Sequence, residues 1–270
     1  MHKIIVLIVL VLLAIPLFAL ILKQPRLDRD WSPDQEVLAT ADVSGDDITI
    51  HNIRHFTYRS TTDYTPNYYD KTFDLSTIKQ AWYVVEPFSP VTGPAHTFVS
   101  FEFEGDQFVA ISIEVRKTKG DTFKFLKSMY HGYELMYVIA DERDVIKLRA
   151  VDRKDQVFLY PVKASKEELR ALFLDMVNEA NTLTRRPEFY NLFTNSCTTK
   201  IVDHINDIDL RHVPLSWKYI LPAYSDQLAL ELGFLDTDLP IDQARQKYQI
   251  NALAEQYAND PQFSLRIRGR

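Results

Sequence analysis

Apolar residues fall along the chain with two different periods, and the change between them divides it. "AHTFVSFEF" (95 to 103) and "DQFVAISIEVRK" (106 to 117) are rich in β-branched and aromatic residues and are joined by "EGD", which predicts a hairpin. In "DDITIHNIRHFTYRS" Ile48, Ile50, Asn52 and Arg54 alternate with Thr49, His51, Ile53 and His55, a period of two that predicts a strand. The aromatic-rich "DYTPNYYDKTFDLSTIKQAWYVVEPFS" carries no clean period and is expected to be irregular chain with a short helix or strand. A strand-rich tract continues through "ELMYVIADERDVIKLRAVDRKDQVFLYPV". At Ser165 the period becomes helical: Ser165 and Glu168 form a capping box, and Leu169, Leu172, Phe173, Met176 and Val177 share one face. A second helix is expected to start near Cys197, with Ile201, Val202 and Ile205 as its apolar marks, and to end in "NDIDLRHVP". The remainder suggests two shorter helices on the periphery. Strands first and helices after them predict an α+β domain, with an antiparallel sheet packed on the cysteine helix.

Residues 4 to 22, "IIVLIVLVLLAIPLFALIL", form an apolar run of 19, close to the roughly 20 residues a helix needs to cross a bilayer. No convincing small-x-small cleavage site follows, so an uncleaved anchor is favoured over a signal peptide. Lys3 and the amino terminus stand against Lys23, Arg26 and Arg29 beyond the run, a balance that by itself slightly favours a cytoplasmic domain. The expected organisation is a signal-anchor or signal peptide at 1–23, a polar tether at 24–45, the folded domain at 46–235 and a polar helical tail at 236–270.

Composition narrows the function. The chain is 46% hydrophobic and 25% charged, enough for one large domain or two small ones. A formal charge of −6 without a dense Lys/Arg stripe argues against nucleic acid as a partner. Seven glycines in 270 residues, with neither a Walker pattern nor GxGxxG, leave no phosphate-binding loop, and no cofactor or metal is called for.

The single cysteine, Cys197, lies in "FYNLFTNSCTTKIVDHI". Asn195 or Ser196 is a natural N-cap, which puts Cys197 in the first helical turn, where the helix dipole lowers a thiol pKa and backbone N–H groups can hold an oxyanion. A small buried apolar role fits the local sequence equally well. Of the seven histidines, His204 is two turns from Cys197 on the same helix, roughly 10 Å along the axis. His51 and His55, four residues apart on one strand, are some ~13 Å from each other, too far to share a metal. His96 opens an apolar strand behind "TGPA", where a side chain is held firmly beside a loop. The neighbouring strand offers Ser112, Glu114 and Arg116 on one face, and Glu114 is the choice for orienting the imidazole. A strand-end histidine without chemistry beside a surface ion pair remains the alternative. Glu142, Arg143, Asp144 and Arg149 are either an ion-pair network near the site or a solvated turn, and Trp82 and Tyr83 either line a groove or are core.

"AHTFVSFEF", "ISIEVRK", "ADERDVIKLR" and "FYNLFTNSCTT", in that order, with "RDW" and "IHNIRHFTYRS" before them, resemble the family of the N-terminal periplasmic domain of the bacterial lipoprotein N-acyltransferase Lnb, from about Arg29 to Gly233. The resemblance implies a papain-like, NlpC-type thiol fold in permuted form, the histidine strand preceding the cysteine helix. It implies Cys197 as nucleophile and His96 as base, and a domain in the periplasm held at the inner membrane; beside them Glu114 is the orienting candidate read from the strand face and Asn195 a further candidate donor to the oxyanion. It also implies more membrane spans after the domain, where this sequence has a polar tail. The function expected is acyl transfer through an acyl-enzyme, with an acyl-bearing lipid, lipoprotein or peptide as substrate. An envelope amidase or peptidase and a non-catalytic periplasmic binding domain are the alternatives.

Overall fold

Long runs of Val, Ile, Phe and Tyr build the centre of the molecule, because β-branched and aromatic side chains pack best on a pleated surface. The computed structural model describes residues 22–88, 93–208 and 211–270, so the expected span at 4–22 lies outside it except for Leu22. The strands are β1 (Thr40–Ser44), β2 (Asp47–Arg54), β3 (Thr57–Tyr58), β4 (Tyr64–Thr65), β5 (Tyr68–Asp74), β6 (Ile78–Pro87), β7 (Ala95–Phe103), β8 (Gln107–Arg116), β9 (Glu134–Ala140) and β10 (Phe158–Pro161). The main sheet runs β1-β2-β9-β8-β7-β6-β10, with β5 also paired to β2. Its pairs are antiparallel except that β2 meets β9 in parallel at Arg54 and Ala140, so the expected antiparallel sheet is corrected to a mixed one.

The helices are α1 (Phe125–Met129), α2 (Glu142–Lys147), α3 (Lys166–Leu183), α4 (Cys197–Ile208), α5 (Trp217–Ile220), α6 (Ser225–Glu231), α7 (Ile241–Tyr248), α8 (Asn251–Gln256) and α9 (Phe263–Arg266). Among the described residues no helix is long and apolar enough to cross a membrane. The predicted capping box of α3 is present, Ser165 accepting from Glu168 N–H while the Glu168 carboxylate accepts from Ser165 N–H. Burying the five marked side chains of α3 contributes about 1.5–3 kcal/mol each before entropy is charged.

Because side chains alternate along a strand, the sheet has two distinct cores. On one face Val85, Val99, Phe101 and Ile111 pack under α3 and α4 with Cys197. On the other, Val84, Phe98, Ala110 and Val138 pack under α2, α8 and α9.

Four expectations change. The tract read as strand-rich holds β9 and β10 but turns helical between them, at α2, which Asp141 caps by accepting from Arg143 N–H. The aromatic tract holds β6, a ten-residue strand between β7 and β10; both its faces are buried, so it shows no alternation. The tether is part of the domain: Trp31 is buried with the Arg116 guanidinium 4.1 Å from its ring centre, and β1 pairs with β2. The tail is not peripheral either. Ile250, Ala254, Phe263 and Ile267 complete the second core, and Arg268, between the rings of Trp82 and Phe108, forms a 2.6 Å ion pair with Glu142 in which both side chains are fully buried.

Phe263→Ala should therefore cost about 3–5 kcal/mol of folding stability, read as a lower urea midpoint at unchanged slope. A loss under ~0.5 kcal/mol, the range of ordinary surface substitutions, would mean that the tail does not seal this core.

Candidate active site

Polar residues placed just before an apolar helical face start α4 where they can satisfy its first N–H groups. Ser196 is the cap: its hydroxyl accepts from Thr199 N–H at 3.4 Å, while Ser196 N–H donates to Thr199 Oγ1 at 2.7 Å. Cys197 is thus the first residue of α4, as the sequence predicts. The Tyr190 hydroxyl lies in hydrogen-bonding reach of the Cys197 backbone amide, so one of the helix-start donors has a partner. The sulfur receives the backbone N–H of Thr97 and sits 3.7 Å from Thr198 Oγ1. Thr198 Oγ1 in turn shares a 2.9 Å hydrogen bond with Thr97 Oγ1. Pairing between β7 and β8 begins only at Phe98 and Ser112, which leaves the Thr97 amide free for the thiol. The residue is only 4% exposed, and burial pushes the thiol pKa up although these hydrogen bonds oppose it.

Beside the thiol is an apolar cavity of ≈ 100 Å³ between the sheet, α3, α4 and α6, lined by Thr198, Tyr83, Val99, Leu172, Ile201 and Leu228 among others. Tyr83 is fixed by donating to Ser225 Oγ at 2.7 Å. Of the two aromatic residues flagged as groove or core, Tyr83 lines this cavity and Trp82 is on the opposite face.

The imidazole of His96 is one residue from Thr97 on β7 and so is on the other face. It stacks on Phe98, and its Nε2 lies 2.7 Å from Ser112 Oγ. That hydroxyl donates to Glu114 Oε1 at 2.9 Å. With its proton committed to the carboxylate, it accepts from the imidazole, which assigns the Nε2–H tautomer and leaves the lone pair on Nδ1. Glu114 thus reaches the ring chiefly through Ser112, its own oxygen being 4.0 Å from Nε2. The expectation that folding carries the imidazole of His96 to the sulfur of Cys197 is corrected: strand alternation separates them, and the described partners of the two side chains do not include each other. Asn195, expected near an oxyanion, donates instead to Phe189 O at 2.8 Å and Glu188 Oε2 at 3.1 Å.

Behind His96 is a buried ion network, centred on Arg149, that settles the choice left open in "ADERDVIKLR" for Arg149, Asp144 and Glu142, whereas Arg143 is 42% exposed and pairs with Asp141 in its own turn. Arg149 donates to Glu86 at 2.7 Å and to Glu114 at 2.9 Å, and Arg54 pairs with Asp144 at 2.8 Å. Glu142 and Asp144 are fully buried. Burial raises the Glu114 carboxyl, but Arg149 and Arg54 outweigh it and hold it well below the usual range. For Glu86 burial prevails, lifting it to about 7. Burial and the nearby Arg149 cation push His96 down to about 3.

His204, which the sequence places too far along α4 to serve the thiol, is a buried tie: its Nδ1 meets Asp175 of α3 at 2.6 Å and its Nε2 meets the Tyr137 hydroxyl of β9 at 2.6 Å. Sequence spacing gave no sign of either contact. His51 is half-buried between Asp42 and Asp70.

The sequence model of the family described as the Lnb N-terminal periplasmic domain matches residues 64–223. That is more than half of the 270-residue chain and includes Cys197, His96, Glu114 and Asn195. The chain therefore belongs to this family, which makes it a periplasmic, lipoprotein-related domain. No curated protein and no solved structure matches it.

The His96 ring should stay neutral across pH 5 to 8, its imidazole carbon-bound proton resonances holding their shifts. Its folded pKa of about 3 lies below the unfolded value, so its contribution to stability is complete above ~6.5 and declines as pH falls towards the folded pKa. A midpoint near 6.5 in the folded protein would place the ring outside the Arg149 network.

Proposed function

We propose that this member of the Lnb N-terminal periplasmic domain family is a thiol enzyme of the cell envelope that carries an acyl group on Cys197, within a permuted papain-like arrangement. The observation that carries the reading is the seat of the sulfur: first residue of α4, supplied with the Thr97 N–H, and joined through Thr198 to an apolar cavity. In the reaction the thiol adds to the carbonyl of an acyl-bearing lipid, lipoprotein or peptide, its proton passes to the departing alcohol or amine, and a thioester forms. An incoming amine then takes the acyl group and the sulfur regains a proton. If water takes it instead, the same site is an amidase or peptidase.

His96 is the proposed base, acting through its Nδ1 lone pair while Ser112 and Glu114 hold the Nε2 side. To reach the sulfur it must pass the end of β7, at 95–97, where the strand is not paired with β8. Its low basicity beside Arg149 is a further reason why deprotonation of the thiol requires that movement. The apolar run at 4–22 is proposed to hold the domain at the inner membrane.

A second reading, a non-catalytic binding domain, is favoured by the 4% exposure of Cys197 and by the imidazole on the opposite face. Thiol chemistry separates the two. As an acyl carrier the protein, exposed to envelope lipids and analysed intact by mass spectrometry, gains an acyl mass that hydroxylamine removes and that Cys197→Ser abolishes. His96→Ala then slows acylation about a hundredfold, read at a temperature where far-ultraviolet dichroism shows the variant still folded. If wild-type protein gains no such mass, the enzymatic reading fails; if His96→Ala is acylated at the wild-type rate, His96 is not the base.

A further inference from the structure

The end of the molecule around α1 exposes a group of large apolar side chains. Phe125 is 53% exposed, Leu126 69%, Phe123 48% and Tyr130 55%, and from the neighbouring turn Phe193 adds 44%. The two segments are locked side by side: Leu192 N–H donates to Ser128 O at 3.1 Å, and Asn191 Nδ2 to Met129 O at 3.0 Å. Their shape is rigid as well, since Gly132 closes so tightly behind α1 that a Cβ there would collide with the Lys127 carbonyl. Large apolar side chains held in a fixed, exposed group mark a contact surface.

Its position decides what it contacts. The apolar run ends at Leu22, and the next side chain, Lys23, donates to His131 O and lies 5.2 Å from the centre of the Phe189 ring. Phe189 stacks on His131 at 4.7 Å, and these two residues border α1 and the 191–195 turn. A segment long enough to span a bilayer therefore enters the domain beside this apolar group, with Leu22 itself 60% exposed. Lys119 and Lys124, both exposed, flank it, although the chain as a whole carries −6. Aromatic and aliphatic tips rimmed by lysine suit the interface of an anionic bilayer.

We infer that α1 and the tip of the 191–195 turn are a membrane-docking surface, seated in the periplasmic leaflet of the bilayer that receives residues 4–22. The same turn leads directly into Ser196 and Cys197, so docking fixes the start of α4 close to the lipid headgroups. The inference is independent of whether Cys197 is a nucleophile.

The test uses the full chain reconstituted in vesicles of phosphatidylethanolamine and phosphatidylglycerol containing an acyl-chain diazirine lipid, with crosslinked peptides mapped after illumination. Adducts are expected in residues 122–130 and 189–195 and absent from α7 and α8. In the double variant Phe125→Ser, Leu126→Ser, adducts in 122–130 fall about tenfold, while far-ultraviolet dichroism and the thermal midpoint hold because both side chains are exposed. Adducts confined to residues 1–23 overturn the inference. So does a change in sedimentation of the double variant without loss of lipid adducts, which would make the surface a contact between copies.

Discussion

The alternation of side chains across β7 is the constraint on which the arrangement of the candidate site rests. His96 and Thr97 are neighbours in the chain, and in an extended strand neighbours must face opposite ways. Thr97 looks towards α4 and gives its amide to the sulfur; His96 looks towards α2 and the Arg149 network. Two groups that local sequence brings within one residue of a common point are thereby assigned to different cores. The loss of β8 pairing before Phe98 is the one irregularity there. It releases the Thr97 N–H, which would otherwise be a ladder donor, and a buried amide without a partner costs about 1–3 kcal/mol. Accepting that N–H is what the sulfur does for the sheet, whatever else it does.

The opposite core is organised by charge. Taking Arg149, Glu86, Glu114, Arg54, Asp144, Glu142 and Arg268 out of water is expensive, and each such pair persists only where geometry and further hydrogen bonds offset desolvation. Asp144 meets that condition fully, accepting from Arg54, from the Phe56 backbone and from the Tyr58 hydroxyl. Glu86 does not: Oε1 has no hydrogen-bond partner and Arg153 stays 3.7 Å away, which agrees with its raised pKa. Glu86 is therefore a weak member of the network, and it directly adjoins His96, with which it is paired across β6 and β7. Closure of this core depends on the C-terminal residues, because Arg268 supplies the countercharge to Glu142 and Arg270 that to Glu102.

Local rules made a good part of this legible. The β7–β8 hairpin, the α3 capping box and the start of the cysteine helix follow from turn residues, helical period and cap chemistry, all of which act within a few residues. Glu114 beside His96 was legible from the shared strand face, and Ser112, the direct partner, lies on the same face. What failed depended on partners distant in sequence. β6 is buried on both sides and so has no alternation to read. The tail looks polar because its core residues, among them Ala244, Ile250, Ala254, Phe263 and Ile267, are spread among charges, and Trp31 in the supposed tether is buried by Arg116 from β8. His96 was placed by the wrong criterion: its position at a strand end was right, but the face depends on where α4 crosses, and no local pattern encodes that.

The thiol and the exposed apolar group of α1 are connected by the shortest possible route, the turn at 191–195. Asn191 and Asn195 bridge each other through paired backbone hydrogen bonds of 3.2 and 2.9 Å, and the Asn191 carboxamide oxygen also accepts from Phe193 N–H and Thr194 N–H. Such a turn transmits displacement rather than absorbing it, because its backbone polar groups are already committed to one another. A force applied at Phe193 would act on Asn195, whose amide holds Phe189 O, and then on Ser196, the cap of α4. Phe189 neighbours Tyr190, and the Tyr190 hydroxyl serves the Cys197 amide. The first turn of α4 is thus braced from both sides by the segment 189–195, while the rest of α4 is held by His204 to α3 and β9. With the far end of the helix tied, the 191–195 turn is the segment through which a load on Phe193 reaches the start of α4.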